Sequence, residues 1–488
     1  MILLVFLAYL CLLAGIGVYY SRTNRELEDF VLGGRRLGAW VAGVSAEASD
    51  MSGWLLIGLP AAAFAGGFSI LWAVIGCTAG TLFNWLVIAP RLYRATTASG
   101  AITIPDFLEA RYPGKGSVFI RLAAVVIILV FYATYISAQF MAAGKIFEAT
   151  FCGINTPWGP VSLTYVQGIA IGCGMILFYT VAGGFLAVAV TDLIQGLIMA
   201  FAVTILPLVG IWRLGGLEPL WEIMARAGEA QNLLHMNGGK QGLAFILGVA
   251  VGGLSWGLGY PGQPHILVRF MAVREEKKLR PAALISVCWV LIALYGAMFV
   301  GFVAHGYFLS GLGDPDQAFP LLATKLLPAW LAGIMIAAAV SAVMSTIDSQ
   351  ILVAISAVVE DIYGKILGGD VRSFRGVWIG RGTGLLLGLA AFWLALERSS
   401  VFQQVFDAWG GLAAGLGPAI CFSLIWRKTT WQGTLGGMIV GATLVQFWPL
   451  IEKVFPYTPV TVWGGGLIPA FSLATLTIWV LSLTTQRA

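Results

Sequence analysis

Long apolar runs fill this chain, and two of them are interrupted by polar residues. Residues 45–60 read S-A-E-A-S-D-M-S-G-W-L-L-I-G-L-P, which sets Glu47, Asp50 and three serines into a membrane-length apolar stretch. A carboxylate at mid-bilayer costs ~2.5–3.5 kcal/mol on insertion scales, so these two predict a polar cavity with a cation or other partner. Residues 252–265 read G-G-L-S-W-G-L-G-Y-P-G-Q-P-H. Pro261 and Pro264 remove backbone donors and free carbonyls one turn upstream. Freed backbone groups at membrane depth are tolerated where they line a cavity.

Reading apolar runs of about 20 residues against charged or Pro/Gly-rich breaks predicts thirteen spans. They lie near 1–20, 38–64, 66–90, 118–144, 162–182, 186–212, 242–267, 281–309, 328–358, 376–396, 402–425, 431–450 and 464–484. The division at Ala182-Gly183-Gly184 is the weakest. No basic residue precedes the first run, while Arg22 and Arg25 follow it, the charge order of a retained helix with its N-terminus outside. Alternate loops then hold 21 of the 28 basic residues, and the other set, with Lys145, Arg213, Arg226, Lys240, Lys325, Arg398 and Lys453, holds 7. That asymmetry predicts a cytoplasmic C-terminus.

The two interrupted spans are the second and the seventh. The second begins five spans after the first, and an odd number of spans per repeat inverts the second copy relative to the first. The placement predicts a transporter built from inverted repeats, residues 38–212 and 213–425. Residues 1–37 would be a peripheral first helix with its cytoplasmic loop, and 426–488 two peripheral C-terminal helices.

Composition agrees. Charged residues make up 10% of the chain, against about 25% in soluble domains, and the mean hydropathy is +0.88. The fold class is an all-α polytopic membrane protein. The net charge of +5 is spread over short loops rather than a stripe, which argues against nucleic-acid binding. Of six cysteines, Cys152 alone falls in a loop on the outer side, so no disulfide is expected there. No G-x-x-x-x-G-K-[ST], H-E-x-x-H or G-x-S-x-G motif occurs, so the chain is not read as an enzyme or an ATP-driven pump, and no cofactor is implied.

Three blocks carry a family resemblance: A-S-D-M-S-G-W-L-L-I-G-L-P (48–60), W-G-L-G-Y-P-G-Q-P-H-I-L-V-R-F-M-A (256–272) and S-A-V-M-S-T-I-D-S-Q (341–350). Together they resemble the sodium/solute symporter family, most closely its bacterial sodium/proline branch. The resemblance implies a LeuT-type five-plus-five inverted repeat with peripheral helices, in the bacterial inner membrane. It implies sodium as co-transported ligand, held by the carbonyls of Ala48, Met51 and Ala342 and the hydroxyls of Ser345 and Thr346. Ala342, Ser345 and Thr346 also share one helix face by their spacing alone. Asp50 resembles a carboxylate needed for sodium coupling. Glu47 departs from the family, which often has glycine there; it is read as protonated, paired, engaged in proton coupling, or facing a cytoplasmic vestibule.

For the solute, the amides around Ser52 and Gly53 would suit an amino-acid carboxylate. Trp256 and Tyr260, four residues apart, offer one aromatic wall. The resemblance adds Tyr135 and Pro264, with Trp54 closing the outer side. Gln263 and His265 are read as contact, gate or helix cap, and Asp192 and Asp348 as structural or gating residues. The function implied is uptake of L-proline coupled to inward sodium flow. Alternatives are another small solute or proton coupling through Glu47. Membrane lipid is the remaining partner, and oligomeric state is left open.

Overall fold

A computed structural model describes residues 1–21, 32–112, 114, 116–151, 154–156, 159–228, 233–454 and 466–486. Cys152, Arg22, Arg25, Lys115 and Arg487 lie outside the described residues. Ten helices among the described residues are long and apolar enough to cross a membrane. This is an integral membrane protein, helical apart from a small antiparallel hairpin that pairs Ile154–Thr156 with Gly159–Val161, which the sequence reading did not anticipate.

Both interrupted runs are broken helices. The first runs as α-helix over Ala39–Asp50. It breaks at Met51–Ser52 and continues as a π-turn, Trp54–Gly58, and an α-helix, Leu59–Gly66. Ser52 has φ +41°, a left-handed conformation that costs a non-glycine residue energy and is kept where surroundings impose it. The second begins as a π-helix, Ala244–Val251, and tightens to a 3₁₀ segment, Ser255–Gly262. It restarts as α-helix at Pro264–Met271 after an extended Gln263. Proline at the first helical position suits that restart, since it has no amide to orphan.

The structure differs from the sequence reading around Ala182–Gly184. Helix runs unbroken from Tyr165 to Leu214, some 75 Å at 1.5 Å per residue and too long for one crossing. Its two ends meet the C-terminal ends of two other helices, Phe374–Ala395 and Leu279–Tyr307. Tyr165 donates to the Ala395 carbonyl (2.9 Å), and the Gly210 carbonyl accepts from Tyr307 (2.9 Å). Phe185, between them, packs under the guanidinium of Arg269.

Charges mark the two faces. On one, Lys145 pairs with Asp316 (2.6 Å), and Arg398 with Asp314 and Glu148 (each 2.9 Å). On the other, Arg35 donates to the carbonyls of Ala101 (2.9 Å) and Met271 (3.2 Å), and Arg94 pairs with Glu276 (2.5 Å). Arg121 there ties Asp106, Glu109 and Asp361 together. Leu37 and Val273 form a parallel bridge at this face, joining the entry of the first broken helix to the exit of the second.

Candidate functional site

The break in the first helix leaves carbonyls without intrahelical partners. Met51 N–H still reaches the Glu47 carbonyl (2.8 Å). The next two carbonyls are met from across the interface. Ser345 donates to the Ala48 carbonyl at 2.7 Å, and Thr346 to the Ser49 carbonyl at 2.9 Å. Both hydroxyls also lie 3.3 Å from the Ala342 carbonyl. Five oxygens therefore converge, all on fully buried residues, at the C-terminal end of a helix where the dipole favours a cation. Ala48, Ala342, Ser345 and Thr346 stand together. The Met51 carbonyl accepts Leu55 N–H (2.9 Å), and the Ser49 carbonyl, which the sequence reading did not name, joins the cluster.

Beside this cluster is a small cavity of about 10 Å³ lined by Asp50, Met51, Trp54, Cys77, Tyr135, Trp256, Tyr260, Val405 and Trp409. That is room for one water molecule. Asp50, Tyr135 and the Tyr260 side chain share its wall. Trp54 meets Trp256 at a tilt of 35° with ring centroids 4.8 Å apart, and Trp256 meets Phe402 and Phe406 at 5.3 and 4.8 Å. Phe402 and Phe406 also floor a wide vestibule of about 600 Å³ opening on the Lys145 face. An aromatic layer thus separates vestibule from cavity.

Three expectations need correcting. The Gly53 amide is not presented to a ligand; it donates to Gln139 Oε1 at 2.6 Å. A Cβ at Gly53 would lie 2.8 Å from Ala142 Cβ, so the glycine serves helix packing. The Ser52 hydroxyl accepts Trp54 N–H (3.1 Å). Gln263 and Pro264 are buried but do not line the cavity; Gln263 donates to the Gly259 and Trp409 carbonyls (3.3 Å each), bracing the restart of the second broken helix. Glu47 does not face a vestibule: it is 1% exposed, and one carboxylate oxygen accepts from Trp85 (3.2 Å) and Ser286. Its other oxygen has no partner among the described residues.

Sequence reasoning passed over Trp409, Gln139 and Arg269. Trp409 donates to the Trp256 carbonyl (3.1 Å) and walls the cavity; its signal is a lone indole in the small-residue run D-A-W-G-G-L-A-A-G-L-G-P. Gln139 is a lone amide on an apolar helix. Arg269 was counted as a loop cation, yet it is buried and paired with Asp192 at 2.9 Å. His265, bonded through its ring to Tyr132 (3.2 Å), lies beside it on the same short helix.

The chain is 36% identical over 490 residues to the sodium/proline symporter of Escherichia coli K12, covering 99% of this chain and 92% of that protein. It is 35% identical over 480 residues to the osmoregulated proline transporter OpuE of Bacillus subtilis, with coverage of 97% and 92%. A solved structure titled as the substrate-bound outward-open state of a Na⁺-coupled sialic acid symporter shares the fold, with a TM-score of 0.78 at 18% identity, spanning 100% of this chain and 97% of that one. The profile of the sodium:solute symporter family matches residues 30–441, and the chain belongs to that family.

Proposed function

We propose that this protein couples inward sodium flow to the uptake of L-proline by alternating access. The observation that carries the reading is the meeting of the Ser345 and Thr346 hydroxyls with the Ala48 and Ser49 carbonyls at the break of the first helix. A hydroxyl that donates to a carbonyl can turn its lone pairs to a hard cation, and the carbonyl can do the same. Sodium would then replace two hydrogen bonds with a shell of oxygens. Relatives named for proline supply the solute. Its pyrrolidine ring would lie among Trp256, Tyr260 and Tyr135, with Asp50 supplying negative charge between ion and ring. A cavity of about 10 Å³ must widen to admit it.

The architecture read with this function has thirteen crossings. These are nine of the ten apolar helices, the helix of residues 2–21, the first broken helix, the helical stretch that follows it to Ser99 and the first half of Tyr165–Leu214. Residues 38–212 and 213–425 form the two inverted repeats. The Lys145 face is outer and the Arg35 face cytoplasmic, in a bacterial plasma membrane. One charge crossing 100 mV contributes about 2.3 kcal/mol, enough to concentrate a zwitterion some tens-fold without ATP.

A second reading, with protons driving or assisting uptake, is favoured by the Glu47 oxygen that has no partner among the described residues, one residue from the sodium cluster. Proline uptake into proteoliposomes, with sodium and proton gradients imposed separately, distinguishes the two. Sodium-driven accumulation is expected. Accumulation under a proton gradient alone would move the assignment to Glu47, and stronger competition by another solute would replace proline.

A further inference from the structure

Arg269 lies one helical turn from the sodium cluster, measured along both helices that build that cluster. Ser45 precedes Ser49 by one turn, and Ser349 follows Ser345 by one turn. The Arg269 guanidinium donates to both hydroxyls, to Asp192 at 2.9 Å and to the His265 carbonyl at 2.7 Å. Ser45 in turn donates to Asp192 at 2.7 Å. The guanidinium and its partners thereby join four elements: the two broken helices, Tyr165–Leu214 and Ala329–Ser356. All of this lies in the protein interior, with Arg269 1% exposed. Asp192 keeps its other carboxylate oxygen buried and partnerless among the described residues.

The acceptors around Arg269 are a carboxylate, two hydroxyls and the His265 carbonyl, the oxygen chemistry of the neighbouring cluster continued one turn toward the Arg35 face. We infer that Arg269 is a tethered cation plugging the inward sodium route: sodium leaves toward the cytoplasm when the guanidinium moves off Asp192. The inference rests on the sodium reading above. Two unit charges one turn apart, about 5.4 Å, repel strongly where the dielectric is low. Sodium in the cluster therefore loosens the guanidinium from Asp192 and frees the second broken helix to move. With no sodium there, the pin stays shut and the four elements stay joined. Arg269 is a positioning residue in this scheme, since it acts through the gate and touches no solute.

The test uses the full chain in proteoliposomes with an inside-negative potential. Sodium entry is measured without proline, alongside proline accumulation, for wild type, R269Q and the paired variant R269Q/D192N. The paired variant leaves no buried charge unmatched, so it reads the plug if R269Q fails to fold. Proline-independent sodium entry is expected to rise at least about fivefold, the low end of ordinary coupling, whatever happens to uptake. A folded, monodisperse paired variant with sodium entry no higher than wild type overturns the inference, whether accumulation is kept or lost. A wild type that accumulates proline without any response to sodium removes the sodium reading itself, a distinct outcome.

Discussion

Thr346 and Gly53 show how much rests on single atoms. Thr346 Oγ1 bonds a carbonyl that the helix break leaves orphaned. Thr346→Ala removes one of five oxygens while keeping the helix. A hydrogen bond of this kind is worth about 1 kcal/mol, so the sodium concentration for half-maximal uptake is expected to rise roughly fivefold. Unchanged sodium dependence in a transport assay would count against the site. At Gly53 the effect is packing. Gly53→Ala places a methyl 2.8 Å from Ala142 Cβ and 3.0 Å from Gln139 Oε1, forcing the first broken helix off Ser117–Thr150. Overpacking of this sort costs about 1–3 kcal/mol, and a lowered melting temperature in detergent is the readout.

The two broken helices were legible because their interruptions are written in residue type: carboxylates and serines in one, glycines and prolines in the other. Ser345 and Thr346 were legible by their spacing and by resemblance. Trp409, Gln139 and Arg269 were not, because each acquires its role from a helix distant in sequence. The division expected at Ala182-Gly183-Gly184 was weakly written, since no charge or proline there ends a helix, and the helix runs on through it. The second broken helix also depends on small residues to hold its aromatic wall. A Cβ at Gly259 would run into the Trp409 indole, which bonds the Trp256 carbonyl. Gly259→Ala is therefore expected to displace Trp409 and lower proline affinity about tenfold, from roughly 1.4 kcal/mol of lost fit. Equilibrium binding with labelled proline checks this, and affinity within twofold of wild type would reject it.

Across the whole molecule, ionic clamps sit at both ends of a shared interior. At the Lys145 face, Lys145 and Arg398 gather Asp314, Asp316 and Glu148, tying the loop after Leu279–Tyr307 to the start of Val401–Ile425. Burial by itself would raise the Asp314 carboxyl, but Arg398 and Lys145 outweigh it and hold Asp314 below the ordinary carboxylate range. Asp316 is more deeply buried, and burial pushes it up against the pull of Lys145. For a depressed carboxyl, the stabilisation is full above its unfolded value and is lost as pH falls through its folded one. The stability advantage of wild type over D314N is thus expected to be constant near neutrality and to shrink below about pH 4. Thermal melts across that range provide the check, and a pH-independent difference would remove Asp314 from the clamp.

The small chamber under the tryptophans has a kinetic corollary. Because its volume of about 10 Å³ is room for no more than one water molecule, a solute molecule cannot queue behind another or pass through while the aromatic rings stay together. Each passage must begin with the aromatic rings parting and end with them reclosing, so throughput is set by how often the rings move. Raising solute outside should saturate the rate at that rhythm, and two molecules should never travel in one cycle.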